Sequence, residues 1–367
     1  MAPRPVLRWG IVATGLISAW FVEDLLLDRP DAPITHEIQA IGSSSLDKAR
    51  RFVAQSCPDR TARLYDSYQQ VYEDPDVDVV YIGTPHGYHH RDCLAAIAAG
   101  KNILCEKAFT LNARQAREIF EAARAQNVYV AEAMWLRHRP LVQDLQRLLH
   151  EEKVLGEVVH ATAHFALQVD FFHLPPTSRY RDLTLGAGSL LDTGIYSLTW
   201  VTLALDAGNP SQAECPTIKA FQTHQDGIEV GTSAILEYSS TGRHGIATST
   251  NQSIGPPSHT IAWIYGTEGC IEIKGETSSE PDSFTVYGKD TSNNVGGALL
   301  WGHASTGRTH RYPRHGRGFV HEADHTALDV LAGRKESATM PWSESIRMME
   351  VMDEIRRQGG TRYAVDE

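Results

Sequence analysis

The first 130 or so residues alternate short apolar runs with stretches of helical periodicity, and this alternation limits the possible folds most. The apolar runs, which have the length of buried strands, are Leu7–Ala13, Glu37–Gly42, Val77–Gly83, Asn102–Glu106 and Tyr129–Ala133. The helical patterns between them are Ile17–Leu27, Leu46–Ala54, His89–Ala99 and Ala113–Ala125. Strands that alternate with helices of this length predict an α/β domain, a doubly wound parallel sheet with helices on both faces.

The pattern changes near residue 133, where longer strand-like runs begin. These runs are Val158–Leu167, Glu229–Tyr238 and Thr260–Ile264. Helical patterns accompany them at Leu141–Leu149, Leu190–Leu205, Val320–Leu331 and Glu344–Arg356. A chain of 367 residues is also long for one domain. We therefore predict two domains, 1–133 and 134–367, the second an α+β domain with a large, mostly antiparallel sheet.

Charge and cysteine usage exclude several classes of protein. The 34 basic and 45 acidic residues give a net charge of −11, which opposes binding to nucleic acid or to an anionic membrane. The five cysteines form no CxxC pair, so we expect neither a disulfide framework nor structural zinc. We expect no signal peptide before the first strand, and Leu190–Leu205 is too short and too polar to span a bilayer. We expect a cytoplasmic protein.

The turn after the first predicted strand reads Ala13-Thr-Gly15-Leu16-Ile17-Ser18. A dinucleotide fold needs backbone N–H groups at this turn to face a pyrophosphate, and its usual pattern is G-x-G-x-x-G. Of that pattern only Gly15 is present, so a plain connection is the alternative. The position at the first strand–helix crossing favours a cofactor site that includes Ala13, Gly15, Leu16 and Ile17.

The end of the second predicted strand bears on which dinucleotide would bind. An NAD site usually holds a carboxylate there, which bonds the ribose 2′-hydroxyl. This chain instead has Ser43, Ser44 and Ser45, followed by Lys48. Three hydroxyls and an ammonium would accept a 2′-phosphate, although serine also commonly caps a helix. We predict NADP in preference to NAD.

Three further segments, Tyr81–His89, Ala99–Thr110 and Gly188–Ser197, together resemble the glucose–fructose oxidoreductase/inositol dehydrogenase (Gfo/Idh/MocA) family. The resemblance extends over nearly the whole chain. Within the family, Glu132–Arg137 and the tyrosine at position 196 are most similar to dimeric dihydrodiol dehydrogenases and NADP-dependent D-xylose 1-dehydrogenases. The resemblance implies a Rossmann domain followed by an open-faced sheet domain, with the active site in the crevice between them. It also implies a homodimer paired through the open face of that sheet.

The family's functional positions carry over as follows. Lys107 matches the lysine of the E-K-P motif, which touches nicotinamide and substrate. Tyr196 matches the acid/base, and Asp192 matches the aspartate four residues before it. The resemblance places further cofactor-binding positions at Thr84, Pro85, His86, His89 and Glu106. The chain departs from the family pattern at Ala108, His86 and Ser44, where a proline, an asparagine and an arginine are common.

These residue types suit hydride transfer. Oxidation of an alcohol releases a proton as the carbonyl forms, so a base is needed beside the cofactor. The pKa of a free tyrosine, near 10, is too high for this task, and a neighbouring ammonium such as Lys107 would lower it. Asp192 and Tyr196, four residues apart, would share a helix face. Asp192 and His173 are the alternatives for the acid/base.

Several side chains have two interpretations. Trp135 and Arg137 either line the substrate pocket or pack between the domains. Arg179 and Arg181 either reach polar substrate groups or lie on a solvated loop. None of the histidine clusters has the spacing of a zinc site, and we expect no metal.

The expected activity is hydride transfer between NADP and a sugar, a cyclic vicinal diol or the corresponding carbonyl. A ketone or aldehyde reductase acting on a larger metabolite would use the same site. A non-catalytic dinucleotide-sensing regulator is the third possibility, and Lys107, Asp192 and Tyr196 argue against it.

Overall fold

A computed structural model describes residues 4–171, 173–175, 177–206, 213–289, 294–295, 298–299 and 307–367. The strands of the first sheet are β1 (Val6–Val12), β2 (Thr35–Gly42), β3 (Arg63–Tyr65), β4 (Val79–Ile82), β5 (Asn102–Glu106) and β6 (Val130–Ala133). They are parallel and lie in the order β3-β2-β1-β4-β5-β6. This confirms the predicted α/β domain.

The helices that connect these strands are α1 (Leu16–Leu25), α2 (Leu46–Ser56), α3 (Tyr68–Glu73), α4 (His86–Ala98) and α5 (Ala113–Gln126). Ser45 begins α2 by accepting a hydrogen bond from the Lys48 N–H, and Asn112 begins α5 in the same way. The sequence patterns missed β3 and α3, because segments of three and six residues are too short to show a period.

The second half of the chain forms a larger sheet. Its strands are β7 (Val158–Ala166), β8 (Thr217–Gln225), β9 (Ile228–Tyr238), β10 (Arg243–Thr250), β11 (Thr260–Gly266), β12 (Gly269–Gly275) and β13 (Pro281–Gly288), joined at one edge by β16 (Arg308–Arg311). The short strands β14 (Asn294–Val295) and β15 (Ala298–Leu299) pair with each other. The eight-stranded order is β16-β13-β12-β11-β7-β10-β9-β8. All its neighbours are antiparallel except β7 and β10, as expected of a mostly antiparallel sheet.

One face of this sheet is covered by helices. The remaining helices are α6 (Pro140–Gln146), α7 (Ile195–Leu205), α8 (Phe319–Leu331) and α9 (Trp342–Gly359). The predicted helix Leu190–Leu205 is divided: Leu190–Gly194 forms a π-helical turn and α7 follows it. All of α7 is buried, and it lies so close to the sheet that a Cβ at Gly245 would come within 2.4 Å of Val201.

Near its carboxyl end, the chain packs again against the first domain. The Asp24 carboxylate on α1 accepts hydrogen bonds from the backbone N–H groups of Gly318 and Phe319, at 2.8 and 2.9 Å, where α8 begins. Arg29 donates two bonds to Asp324 on α8, at 2.7 and 2.8 Å. The Trp342 indole N–H donates to the Val130 carbonyl at 2.8 Å. Helices α8 and α9 therefore pack against the elements of the first domain.

In the part of the chain that the structure describes, no helix combines the length and apolar character that a membrane crossing requires.

Candidate active site

The turn between β1 and α1 leaves backbone N–H groups free to bind a ligand. Ala13 has a φ of 74°, and its N–H is bonded to the Gly42 carbonyl at 3.1 Å. Gly15 begins α1 without a side-chain cap, and a Cβ at Gly15 would meet nothing within 4 Å. Leu16 is 65% exposed and Ile17 is half-buried. The start of α1 thus opens at the carboxyl edge of the sheet, where ligands of such folds bind.

The serines after β2 divide into different roles. Ser43 is buried, with its hydroxyl 2.8 Å from that of Thr14. Ser44 accepts a hydrogen bond from the Lys48 ammonium at 2.8 Å, and both side chains are exposed. Ser45 caps α2, so for this residue the helix-capping interpretation applies rather than phosphate binding. Ser44 and Lys48 together form a small cationic group beside the turn.

The turn between β4 and α4 is held by bonds within the protein. Buried Thr84 donates to Asp92 at 2.9 Å, and His89 Nε2 lies 2.7 Å from the Thr84 carbonyl. His89 Nδ1 lies 3.1 Å from the Ala108 carbonyl. Pro85 precedes α4. These contacts tie the turn to the segment after β5, so Thr84 and His89 fix the backbone around the site.

Lys107, directly after β5, meets the second domain. Its ammonium donates to the Asp192 backbone carbonyl at 2.8 Å and lies 3.7 Å from the Asp192 carboxylate. It also lies 5.2 Å from the centre of the Tyr196 ring. Arg179 approaches the other side of the carboxylate at 3.2 Å. The structure therefore brings together four of the residues that the sequence singled out.

The charge of Asp192 is set by these neighbours. Burial alone would raise the pKa of Asp192, but Lys107 and Arg179 lower that pKa to about 2. The carboxylate is therefore ionised at neutral pH and holds both cations in place.

The Tyr196 hydroxyl differs from expectation. Its oxygen accepts a hydrogen bond from the Trp135 indole N–H at 2.5 Å. Burial and the nearby Glu106 carboxyl raise the pKa of Tyr196 well above its usual value, and the Trp135 bond offsets this only in part. The net direction is opposite to the lowered pKa expected beside Lys107, whose ammonium lies over the ring and is bonded to Asp192.

His86 lies at the start of α4, close to Lys107 and Asp192. Burial, with the charges of His89 and Lys107, lowers the pKa of His86 to about 3, so the imidazole is neutral. Gly186, with a φ of 81°, lies against it, and a Cβ there would come within 2.8 Å of the His86 Cβ. His86 is thus a fixed, neutral side chain at the edge of the group.

Trp135 and Arg137, two of the predicted substrate residues, lie in different places in the structure. Trp135 lies in the site through its bond to Tyr196. Arg137 does not: its buried guanidinium is paired with Glu344 on α9. The ion pair occupies the side chain, so the structure favours a packing role over substrate contact, although the pair joins two elements of the second domain. Arg181 contacts the Phe171 carbonyl and Asp226, and exposed His173 pairs with Asp170.

The sequence patterns missed a second group of buried polar side chains. The Tyr81 hydroxyl donates to Glu106 at 2.6 Å, and Glu322 on α8 is completely buried nearby. The available signal was a carboxylate on the apolar face of α8, which carries Phe319, Ala323 and Ala327.

A dinucleotide fits this edge of the sheet. The uncapped start of α1 can bind a pyrophosphate, and Ser44 with Lys48 can bind a ribose phosphate. Lys107 and Tyr196 lie at the ends of elements from the two domains, facing the same space. This combination of fold and site defines a class, the two-domain dehydrogenases in which a dinucleotide fold meets an open-sheet domain.

The comparisons with known proteins agree with this class. Residues 7–134 match the model of the oxidoreductase family with an NAD-binding Rossmann fold, and residues 142–272 match the GFO/IDH/MocA C-terminal domain. The chain is 34% identical to D-xylose 1-dehydrogenase (NADP(+)) of Hypocrea jecorina over 97% of its own length and 93% of that protein. It is 33% identical to trans-1,2-dihydrobenzene-1,2-diol dehydrogenase of Xenopus tropicalis, over 97% and 99%. The chain belongs to the Gfo/Idh/MocA oxidoreductase family.

Solved structures show the same fold. A 3-ketoreductase from Actinomadura kijaniata, in complex with NADP and TDP-benzene, is similar with a TM-score of 0.76 at 23% identity, covering 97% of this chain and 98% of that one. A levoglucosan dehydrogenase in complex with NADH and levoglucosan has a TM-score of 0.78 at 17% identity, covering 97% of each chain.

Proposed function

We propose that the protein is an NADP-dependent dehydrogenase or reductase that acts on a CH–OH group of a sugar or cyclic vicinal diol, or on the corresponding carbonyl. The observation that carries the proposal is the Lys107 ammonium, joined to Asp192 and facing the Tyr196 ring at the carboxyl edge of the dinucleotide fold. The relatives named for D-xylose and for a dihydrodiol support this class of substrate.

The cofactor would be held by the chain's first and second strand ends. Backbone N–H groups after Gly15 would bind the pyrophosphate, with Ala13, Leu16 and Ile17 at the turn. Ser44 and Lys48 would bind the 2′-phosphate, because both side chains are exposed and a phosphate can reach them. Ser43 would hold the end of β2 against the turn after β1 through its hydroxyl contact with Thr14. Thr84, Pro85, His86, His89 and Glu106 would form the wall beside the nicotinamide.

Tyr196 would transfer the proton, and Lys107 would help to orient the substrate. When bound, NADP takes or supplies the hydride. In oxidation the phenolate form of Tyr196 would accept the alcohol proton, and in reduction the phenol form would return it. Lys107 and Arg179, both held by Asp192, would orient the substrate oxygens, because both cations donate hydrogen bonds. Trp135 fixes the Tyr196 hydroxyl by its N–H.

The test is turnover of NADP+ and NADPH with a panel of sugars, cyclic diols and their carbonyls. We expect measurable kcat with at least one polyol and NADP+. Turnover restricted to large ketones or aldehydes would favour the reductase alternative. Tight NADP binding with no turnover of any substrate would indicate a dinucleotide sensor and overturn the proposal.

We also propose a homodimer formed through the open face of the eight-stranded sheet. This face carries exposed Phe221, Ile235 and Tyr265, and Tyr265 stacks with Trp263 at 5.9 Å. Ile235→Arg should produce monomers in analytical ultracentrifugation, whereas Leu331→Arg, an equally exposed apolar site on α8, should leave the dimer intact. A monomeric parent protein would contradict the proposal.

We also propose a domain boundary at residue 133 and a cytoplasmic location. Strand β6 ends at Ala133, where the dinucleotide fold's strands stop. All five cysteines are free, as is usual in a reducing compartment.

A further inference from the structure

The segment 108–112, which follows Lys107 and leads into α5, is buried although it belongs to neither a helix nor a strand. Backbone N–H and C=O groups that are buried outside regular structure must find their partners elsewhere. In this segment the partners are side chains of other elements. The position of Lys107, directly before the segment, therefore depends on those side chains.

Glu132 and His89 bind the two residues that come directly after Lys107. The Glu132 Oε1 atom, at β6, accepts a hydrogen bond from the Phe109 N–H at 3.1 Å. His89 Nδ1, on α4, lies 3.1 Å from the Ala108 carbonyl and 3.2 Å from the Phe109 carbonyl. Glu132 thus holds the N–H side of this short stretch, and His89 holds its carbonyl side.

The far end of the segment is held in the same manner. The Leu111 N–H donates to the Gln115 side-chain oxygen at 3.2 Å, and the Leu111 carbonyl accepts from the Arg356 guanidinium at 3.2 Å. Gln115 lies on α5 and Arg356 on α9. The segment is therefore fixed from several sides, and Glu132 and His89 are the anchors nearest to Lys107 along the chain.

Lys107 lies between two fixed points of the backbone. Before it, strands β5 and β6 are paired as far as Glu106 and Ala133. After it, the Phe109 N–H is bonded to Glu132. The backbone at Lys107 has little freedom between these points, and its ammonium reaches the Asp192 carbonyl at 2.8 Å.

The main chain of Glu132 also begins the turn that carries Trp135. The Met134 N–H donates to the Glu132 carbonyl at 2.9 Å. Trp135 follows, and its indole N–H donates to the Tyr196 oxygen at 2.5 Å. Glu132 is therefore connected through its side chain to the segment after Lys107, and through its main chain to the residue that binds Tyr196.

The Glu132 carboxyl group is 1% exposed, and burying such a group costs stability. Burial raises the pKa of Glu132 to about 7, and the Ser345 hydroxyl, the Phe109 N–H and the Arg137 charge offset only part of this rise. Both the ionised and the protonated carboxyl retain an oxygen that can accept a hydrogen bond. The bond to Phe109 therefore needs the acceptor oxygen and does not need the charge.

We propose that Glu132 is a positioning residue for the reaction: by binding the Phe109 N–H, it fixes the backbone after Lys107 and so sets where the ammonium meets the substrate oxygen. The proposal rests on the proposed function of Lys107. Glu132 itself contacts neither substrate nor cofactor in this role. Because a misplacement of about 1 Å can cost about 10²-fold in rate, kcat should be sensitive to this bond.

The first test compares two substitutions of similar size. Glu132→Leu has no acceptor for the Phe109 N–H, and its kcat should fall by about 10–10²-fold. Glu132→Gln keeps an amide oxygen and should lose much less. NADP Kd should change far less than kcat, because the pyrophosphate and 2′-phosphate positions lie after β1 and β2. A Glu132→Leu enzyme with the parent's kcat, or equal losses in the two variants, would overturn the proposal.

Glu132→Asp covers the case in which Glu132→Leu does not fold. It keeps the carboxyl group but shortens the side chain by one methylene, so the Phe109 N–H must move or lose its bond. Its kcat should lie between those of Glu132→Gln and Glu132→Leu. A Glu132→Asp enzyme with a kcat equal to that of Glu132→Gln would contradict the need for a fixed anchor.

The matched control is Asn102→Ala, at the other end of β5. The Asn102 side-chain oxygen accepts the Tyr129 N–H at 2.9 Å, so the change removes the same kind of anchor at a distance from the site. It should lower Tm and leave kcat nearly unchanged. A loss of kcat as large as that of Glu132→Leu would show that any such anchor has this effect, and would overturn a specific role of Glu132.

A double-mutant cycle separates positioning from general stability. In a Lys107→Met background, Glu132→Leu should lower kcat no further, because the anchor acts through the lysine. Losses that multiply would show that Glu132 acts independently of Lys107, and would overturn the proposal.

The last test needs no turnover. The Lys107 side chain is 10% exposed and that of Lys153 is 62% exposed. Acetylation by acetic anhydride, followed by mass spectrometry, should modify Lys107 faster relative to Lys153 in Glu132→Leu than in the parent, and at the parent's ratio in Glu132→Gln. An unchanged ratio in Glu132→Leu would overturn the positioning role alone. A parent protein that turns over no substrate would instead overturn the proposed function.

Discussion

The Tyr196 hydroxyl is buried and accepts a hydrogen bond from the Trp135 indole, and the nearby ammonium faces its ring. In this state the hydroxyl is a poor base, because burial and Glu106 favour the neutral phenol. A substrate oxygen held by Lys107 would give the hydroxyl a second partner. We therefore expect the basicity of Tyr196 to depend on the substrate and on Glu106 more than on Lys107 alone.

Tyr196→Phe tests the acid/base role. The change removes one hydroxyl and keeps the ring, so kcat should fall by about 10²–10⁴-fold while NADP Kd stays nearly constant. Steady-state kinetics and cofactor titration measure the two effects. Tyr72→Phe, which removes a buried first-domain hydroxyl that has no hydrogen-bond partner among the residues the structure describes, is the control and should retain activity. A near-normal kcat for Tyr196→Phe would move the assignment to Asp192.

Lys107→Met should reduce kcat at least as much as Tyr196→Phe. The change removes a hydrogen-bond donor to the substrate and leaves Asp192 with Arg179 as its remaining cation. Because the two residues act on the same substrate oxygen, the double variant should lose much less than the product of the single losses. Independent, multiplicative losses in kcat would show that Lys107 and Tyr196 serve separate steps.

Ser43→Asp tests cofactor choice. A carboxylate at the end of β2 would accept a bond from a ribose 2′-hydroxyl and repel a 2′-phosphate. NADP should therefore bind more weakly and NAD more tightly, with a reversed ratio of Kd values in fluorescence titrations. Arg51→Asp, an exposed change on the same helix as Lys48, is the control for general charge effects. Equal Kd values of NADP and NAD for the parent protein would contradict the prediction.

Part of the site could be predicted from the sequence and part could not. Lys107 and Asp192 converge as expected, because motifs fix their places at the ends of elements, whereas for Arg179 the sequence left a solvated loop equally open. Arg137 was ambiguous, since the sequence does not reveal that Glu344, more than 200 residues later, is its partner. Glu322 was not identified at all, because its importance comes only from what α8 covers.

At the level of elements, a side chain of α1 caps the start of α8. The Asp24 carboxylate accepts hydrogen bonds from three successive N–H groups, those of Arg317, Gly318 and Phe319. A Cβ at Gly316 would come within 2.0 Å of the same carboxylate, so the approach requires glycine. This contact fixes the position of α8 over the first sheet, and with it the position of Glu322.

Asp24→Ala should destabilise the protein through this contact. It leaves buried N–H groups without an acceptor, which should lower the free energy of unfolding by about 1–3 kcal/mol. Urea titration followed by circular dichroism measures the change. Glu23→Ala, its exposed neighbour on α1, should change stability by less than about 0.5 kcal/mol. Equal effects of the two substitutions would show that the cap contributes nothing.

Element type was predictable where a period was long enough to see. Apart from the short β3 and α3, the strands and helices of the first domain appear in the sequence as apolar runs and helical faces, and the structure places them close to the predicted ranges. In the second domain, β8, β10, β12 and β13 were not identified. These strands are polar, threonine-rich or glycine-rich segments, in which an apolar face is too weak to stand out.

At the level of the whole molecule, the first domain depends on the end of the chain. A fragment of residues 1–133 lacks α8 and α9 and would expose Phe21 and Tyr81. We expect the fragment to bind a hydrophobic dye and to unfold without cooperativity. Joining residues 317–367 to it through a flexible linker should restore a cooperative transition. A fragment 1–133 that unfolds cooperatively alone would contradict this dependence.

The distance along the chain between α8 and its partners has a consequence for biosynthesis. Arg29 and His36 are bonded to Asp324 across 295 and 288 residues. Because ribosomes add about 5–20 residues per second, a first domain completed near residue 133 waits roughly 10 to 40 seconds for the helix that covers it. During that time the sheet presents an aromatic surface to the cell, which makes the growing polypeptide a natural client for a chaperone at the ribosome exit.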